Sequence, residues 1–516
     1  MCLQRALWAL LAVPAWVGAA HVGPALGLIE ACQQALEKNL QLAQQRQQVQ
    51  ASRGVLMQNQ AAFDPVFNSS LNASRKLNPL TTEVQQASGL AHLRNHSLAA
   101  EVGLSKLLRS GIRISPTLQF NRSSDNQSQP LGLNHATLNV QVLFPLARNR
   151  GQHLSAIREQ AATLDEQAAM HDLQHYMSQV LSTTASAYWR YQGALQTLQA
   201  YQEAEQRATD MLESVKAMAS IDLIPRVQVQ DALSSLSQRS VVRIGQERAV
   251  AQARQELALT MGVEAAALTQ ALLPTDPLPD VDGPSFLPAS LGAPESYIDL
   301  GLGRRADLRA AQTRVEQQEA LLAAWRGQLR PQVDVVVGVS YAGAKTGSGV
   351  DAFVSPLRST TGPSVSVGLQ YQFPHSNLEA RGAVLQAEAT LQQQRLRSED
   401  VQRQITSGVI LGLQNLGAAV QQLQESGRGV RAALAALDGA RERLRFGIGS
   451  VVDALQAEDR HITAEVSRIS AQVSLATAIS ELRYATGTFV NPDAPVQDVR
   501  RDVFYKPLST SPESQP

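Results

Sequence analysis

Few residues in this chain are spaced for chemistry. His171 and His175 stand one helical turn apart and could share a metal ion, although a surface pair on a helix gives the same spacing. His92, His96, His135, His153, His375 and His461 add no convincing ligand cluster. No HExxH, GxSxG, P-loop or CxxC motif occurs, so the sequence points to no enzyme, no resident metal and no cofactor. Cys32 is the one cysteine outside the first twenty residues and is open to two readings, a lipidation site or a buried structural thiol. Glu30, two positions before it, fits poorly with the small residues that precede an acylated cysteine. One carboxylate stands in a suggestive place. Asp453 follows Gly447-Ile448-Gly449-Ser450 by about one turn of helix, where it stabilises the positive helix end by about 0.3–1 kcal/mol.

These residues belong to a long helical hairpin. Val409, Leu416, Leu423, Val430, Leu437 and Leu444 recur every seven residues, and Leu455, Ile462, Ile469 and Ala476 repeat the pattern beyond the glycines. Val452, Val466 and Val473 fill the alternate seam. A seven-residue apolar repeat winds helices around neighbours. Gly447 and Gly449 can take positive φ, and Ser450 can cap the next helix. Residues 218–236 read as a second such tip, with a break at Asp222 and with Pro225 suited to a first helical turn.

The 516 residues carry equal numbers of acids and bases, which gives no electrostatic argument for nucleic acid. The abundance of Ala, Gln and Leu favours helix. Arg5, the apolar run Ala6–Val17 and the small residues Gly18-Ala19-Ala20 read as a signal peptide, 1–20, cleaved before His21; a buried helix is the other reading. No later run has the ~18 apolar residues of a spanning helix, so entry into a membrane would be as strands.

Along the chain, Leu26–Gln60 reads as one helix closed by Phe63-Asp64-Pro65. The period then becomes two. Phe67, Leu71 and Ala73 alternate with Ser and Asn. Leu98, Ala100, Val102 and Leu104, then Ile112, Ile114, Leu118 and Phe120, and finally Ala136, Leu138, Val140, Val142 and Phe144 alternate with mostly polar neighbours. Arg109-Ser110-Gly111 suits a hairpin turn and 121–135 a long loop. After Pro145 a helix runs to about Ala219, and a return helix runs from about Leu223 to Gly262. Six prolines between 268 and 294 mark an irregular connection. Residues 306–331 then parallel 39–65, and the strands Val333–Tyr341 and Val365–Phe373 close at Phe373-Pro374 as the first block closed at Phe144-Pro145. The chain therefore divides into a first helix–strand–helix repeat (21–262), a linker (263–303), a second repeat (304–490) and a polar tail (491–516). The fold class is mainly α with membrane β-strands, in duplicated long antiparallel helical hairpins. A sheet on a soluble core gives the same alternation, but polar members limited mostly to Ser, Asn, Thr, Gln and Gly suit a solvated lumen.

The sequence resembles the TolC-like outer membrane efflux proteins. The resemblance rests on LIEACQQALEKNLQLAQQR (28–46), AYW (187–189), the stretch 304–336, VSVGLQYQFP (365–374) and GIGSVVDALQAE (447–458), in order, over nearly the whole mature chain. It implies a homotrimer in the bacterial outer membrane, a β-barrel closed by trimerisation in outer membrane lipid and an α-barrel tunnel through the periplasm. It also implies a periplasmic adaptor (membrane fusion) protein and an inner-membrane pump of RND or ABC type as partners, with small molecules or polypeptides as cargo. On that basis Asp453 and Gln456 would line a periplasmic gate, the alternative for Asp453 being the helix-end role alone. Asp222, Leu223, Ile224 and Pro225, with Gly447, Ile448, Gly449 and Ser450, would form adaptor-docking tips; packing of the two tips on each other is the alternative for Leu223. Two departures stand out. The first half has one hairpin more than the family pattern, at 98–120, either in the barrel or outside it. Asp222 replaces a usual glycine. A non-pore coiled-coil scaffold is the competing functional reading.

Overall fold

Two helical hairpins and one six-stranded sheet carry most of the chain. The computed structural model describes residues 25–151, 155–263, 273–280, 293–358, 363–446, 448–490 and 501–506. The expected signal peptide, Gly447, and the linker prolines Pro284 and Pro288 lie outside these residues, as does most of the tail. The chain divides into two units, Met1–Ala43 with Met177–Arg304 and Ser407–Pro516, and Gln44–Tyr176 with Arg305–Thr406.

The first unit is helical. It contains α1 (Leu28–Lys38), the greater part of α4 (Ile157–Ser220), α5 (Val227–Met261), α6 (Pro294–Arg304), part of α9 (Leu378–Arg445), α10 (Val451–Ala485) and α11 (Asp502–Tyr505). The apolar repeat of α9 is its buried seam, since Val409, Leu416, Leu423, Leu437 and Leu444 are all buried. On α10 the seam differs from expectation. Val452 is exposed, and the buried line runs through Val451, Ala454, Glu458, His461 and Ile462. The expected helix Leu26–Gln60 is two helices, α1 and α2 (Leu40–Gln60). Asn39 breaks it. The Asn39 side-chain oxygen accepts from the Gln41 and Leu42 amides at 3.0 and 3.2 Å, and its amide donates to the Thr260 carbonyl at 2.8 Å. An asparagine offered two free helix amides caps rather than continues. The described parts of the linker carry regular structure that its prolines did not suggest. They supply β6 (Leu273–Pro274), which pairs in parallel with β1 (Ala25–Leu26), and α6, which opens on Pro294.

Tyr188 of the AYW motif fastens this junction. Its hydroxyl donates to the Leu26 carbonyl at 3.0 Å and accepts from the Thr275 and Asp276 amides at 3.1 Å each. Asp276 in turn accepts from the Leu28 amide at 2.7 Å and pairs with Arg501. Tyr188 and Trp189 are fully buried, and Trp189 meets Tyr505 of α11 edge to face.

The second unit holds the sheet, with α3 (Thr82–Ser88), α7 (Ala306–Gln328) and α8 (Val350–Val354). Its strands are β2 (Val66–Pro79), β3 (His92–Leu107), β4 (Arg113–Asp125), β5 (Leu133–Pro145), β7 (Gln332–Thr346) and β8 (Pro363–Gln372), antiparallel in the order β2-β3-β4-β5-β7-β8. The additional hairpin, expected at 98–120, spans 92–125 and lies within the sheet. The loop expected at 121–135 shrinks to 126–132 because β4 and β5 extend into it. Register places like with like. Val102, Leu118, Leu138 and Tyr341 lie in one row, as do Val140, Val339 and Val365; Thr117, Asn139, Ser340 and Ser364 share a row on the opposite face.

The turn of the additional hairpin is built into its surroundings. Arg109 forms a two-pronged ion pair with Glu159 at 2.8 Å and lies over the Phe63 ring. Gly111, at φ +89°, has no room for a Cβ, which would fall 2.3 Å from the Asn149 carbonyl oxygen.

Gly262 ends α5 at φ +69°, and a Cβ there would sit 2.4 Å from the Lys38 carbonyl oxygen. Gly262→Ala therefore combines left-handed strain with a backbone collision at the Asn39 junction. It should destabilise the protein by about 1–3 kcal/mol, read as a lower denaturation midpoint.

Candidate functional site

The two tips close differently. At the first, Asp222 takes the left-handed conformation at φ +55°, and the Leu223 amide reaches back to the Met218 carbonyl at 3.0 Å. This ends α4 much as a glycine would. The return helix begins at Val227, four residues later than expected, after Pro225 accepts from the Gln228 amide at 3.0 Å. At the second tip the Ser450 hydroxyl accepts from the Val452 amide at 3.2 Å, the expected cap. Gly449 is needed for a different reason from the one expected. It is not among the positive-φ glycines; a Cβ there would lie 3.0 Å from both the Arg443 Cβ and the Leu444 amide nitrogen.

Leu212, Val215, Ala232, Leu444, Val451 and Ala454 form a buried cluster that joins the two tips, and Ile224 packs against it. Leu223 and Ile448 do not, being 58% and 77% exposed. Ile221, Val227 and Phe446 beside them are more than half exposed as well. Asp453 and Gln456 share an exposed face of α10.

The strongest electrostatic feature nearby is one that sequence reasoning missed. Glu458 is almost fully buried and is met by an arginine from each of the other three long helices: Arg207 at 3.3 Å, Arg239 at 3.6 Å, and Arg441. Arg239, itself buried, also reaches Asp459 at 3.0 Å and donates to the Ala204 carbonyl. Glu465, 4.0 Å from Arg207, pairs with His461 at 3.4 Å. The apolar repeat gives no sign of it: after Val452 and Leu455 the seam steps to position 459 and passes Glu458 by.

Residues 297–488 match the family model described as outer membrane efflux protein. That stretch, less than half of the chain, is similar to the family. The chain's fold is shared over most of its length by the outer-membrane channel OprN (18% identity, 91% of this chain and 90% of that one, TM-score 0.65). It is likewise similar to the Campylobacter jejuni CmeC outer membrane channel (14%, 91% and 87%, 0.64) and to the open state of the Neisseria gonorrhoeae MtrE outer membrane channel (18%, 89% and 88%, 0.62). No curated protein sequence matches it. The TolC-like fold class read from the sequence therefore holds.

The other candidate residues resolve simply. Cys32 lies inside α1, fully buried, and burial pushes its thiol pKa up to about 12. The unfolded thiol ionises near 9.0, so this burial costs stability only as pH rises from there towards 12. A thiol so enclosed is not open to acylation in the folded chain. His171 and His175 meet different partners: His171 is 3.4 Å from Gln174, and His175 is 3.7 Å from Asp307, in an enclosed setting that lowers its pKa against the pull of that carboxylate. Among the described residues no group of three metal-ligating side chains forms.

Removing Glu458 would leave the buried Arg239 facing Arg207 and Arg441 with the exposed Asp459 and the more distant Glu465 to answer them. Glu458→Ala should cost about 3 kcal/mol. Asp453→Ala, at an exposed helix end, should cost about 0.3–1 kcal/mol. Paired chemical denaturation curves will check that ordering.

Proposed function

We propose that this protein is the outer-membrane efflux duct of a tripartite assembly, with three copies closing one barrel. The observation that carries the reading is the sheet. One face is a continuous apolar surface, with Val365, Val367 and Leu369 of β8 and Phe67 and Leu71 of β2 each about two-thirds exposed or more. The other face is polar. Strands β2 and β8 pair on one side only, so each leaves a row of backbone groups open. Lipid does not tolerate open edges, and symmetric copies satisfy them by joining β8 of one to β2 of the next. A coiled-coil scaffold has no use for such a sheet.

Six strands in each of three copies make eighteen. With ~4.8 Å between strands and a tilt of ~40°, the barrel is about 36 Å across between backbones. Water fills a lumen of that size. In the periplasm, the exposed Leu223 and Ile448, with Ile221, Val227 and Phe446, suit an adaptor that supplies an apolar lid. Asp222, Ile224, Pro225, Gly449 and Ser450 shape these tips for docking. Threefold symmetry would bring copies of Asp453 and Gln456 around an axis, where three carboxylates attract cations and hold multivalent ones. An inner-membrane pump of RND or ABC type would choose the cargo, small molecule or polypeptide.

Reconstituted in a planar bilayer, the protein should form trimers that change migration on heating and conduct ions. Asp453→Ala should weaken both cation preference and blockade by a trivalent cation added from the tip side. A folded trimer that never conducts, even with its tips disrupted, overturns the duct. Unchanged blockade in the Asp453 variant moves the gate elsewhere. Deleting residues 92–125 should narrow the wall to twelve strands, about 24 Å across at the same tilt, and lower the conductance to roughly half.

A further inference from the structure

Charge on the sheet is sorted by face. The six strands contain three carboxylates, Glu101, Asp125 and Asp334. Pairing with Gln119, Asn95 and Gln370 puts all three on the polar face. Seven strand residues are Lys or Arg, and five of them, Arg75, Arg94, Lys106, Arg122 and Lys345, fall on the apolar face. Register fixes this assignment. Arg122 lies in line with Leu98, Asn134 and Lys345; Arg75 pairs with His96, and Arg94 with Leu77.

Four of the five lie at one end. Arg75, Arg94, Arg122 and Lys345, with His92 and His96, cluster past the apolar rows, with Leu77 among them, at the strand ends remote from the helices that lead into the sheet. Lys106 is alone at the near end. Arg122 stands eight residues from Ile114 on the same face, about 27 Å along the strand, which after tilting approximates the height of an outer-membrane apolar band.

These cations have little else to hold them. Arg75, Arg94 and His96 are exposed, and among the described residues Arg75, Arg94 and Arg122 pair with no carboxylate. The Arg122 guanidinium lies over Gly132, where a Cβ would come within 3.0 Å of it. Lys345 is 3.5 Å from Asp351. The short helix α8 covers a neighbouring part of the face: Phe353 meets Phe120 at 5.6 Å between ring centres, and Ala136 is fully buried. The open part of the row is therefore Arg75, Arg94 and His96, with Arg122 at its margin.

We propose that Arg75, Arg94 and Arg122, assisted by Lys345, form a girdle that binds the phosphate groups of anionic lipids in the leaflet at the remote end of the barrel. The proposal rests on the sheet being a barrel wall. Guanidinium groups grip phosphate through paired hydrogen bonds, and their stems can lie along the apolar face below. The absence of strand carboxylates on that face removes the repulsion that would oppose such lipids. The one-sided distribution selects one leaflet.

The test uses the full-length protein in phosphatidylcholine vesicles containing about one-tenth bisphosphorylated lipid A, against vesicles with the same lipid A stripped of phosphate. Lipid retained after detergent washing is counted by native mass spectrometry. The parent should retain the phosphorylated form preferentially. That preference should fall about fivefold for each arginine removed in Arg75→Gln, Arg94→Gln and Arg122→Gln, and vanish in the triple variant. Lys76→Gln, on the polar face, should leave it unchanged. If the triple variant does not fold, the exposed Arg94→Gln alone decides. No preference in the parent, or an undiminished one in the arginine variants, overturns the girdle. Conductance of the same vesicles reads the duct separately, so a conducting protein without lipid preference sinks this proposal and leaves the other standing.

Discussion

A backbone amide or carbonyl in hydrocarbon has no water to turn to, so a strand there must be paired on both sides. In the proposed duct that constraint organises the sheet. Four of its six strands are satisfied within the chain. The outermost two, β2 and β8, are satisfied on one side each, and both carry apolar side chains in the open. A soluble protein blunts such edges with charge, proline or a covering loop. Here the charges are withdrawn to the ends of the apolar rows, which leaves each edge free to pair along its middle.

The helical unit answers a different problem. Long helices joined by an apolar seam can slip by one repeat at modest cost, because one heptad looks much like the next. The Glu458 cluster occurs once. It draws Arg207, Arg239 and Arg441 from three helices to a single carboxylate on the fourth, so a shift of any helix by seven residues leaves a buried charge unmet. Removing one partner from such a cluster is costly even where the cluster as a whole adds little to stability. Its value is register, and the tips a few turns away inherit that register through the Leu444–Val451–Ala454 cluster.

What the sequence disclosed follows from where period and local chemistry act alone. Alternation by two located the strands, and their apolar members share rows across the sheet. The Ser450 cap, the left-handed Asp222 and the helix stop at Gly262 were readable because each depends on neighbours within a few residues. The break at Asn39 was not: its cap on Gln41 and Leu42 is local, but the bond to Thr260 and the close fit of Gly262 lie over two hundred positions away. Gly449 was legible as necessary but not for its reason, because a collision with Arg443 requires coordinates. Only the start of the α10 seam lies one position from expectation, since Ile462 and Ala476 are buried as expected: Val452 looks like a core residue and Glu458 does not, yet the glutamate is buried by its three arginines. A charge paired across helices leaves no trace in a hydrophobic pattern.

In the proposed duct, the additional hairpin shows how a wall can widen without being redesigned. In its absence β2 would pair with β5, and these strands run in opposite directions. Inserting a single strand would have forced one parallel pairing and reversed the chain's return to the helices. Inserting two preserves the antiparallel alternation and returns the chain to the same end. The faces also survive, since β3 and β4 continue the apolar rows from Leu71 through Ala100 and Phe120 to Ala136. The new turn had then to fit a crowded base, which it does through Gly111 against Asn149 and through Arg109 held by Glu159 and Phe63. The hairpin is thus tied in along both edges and at its turn, as a wall strand must be and an appendage need not be.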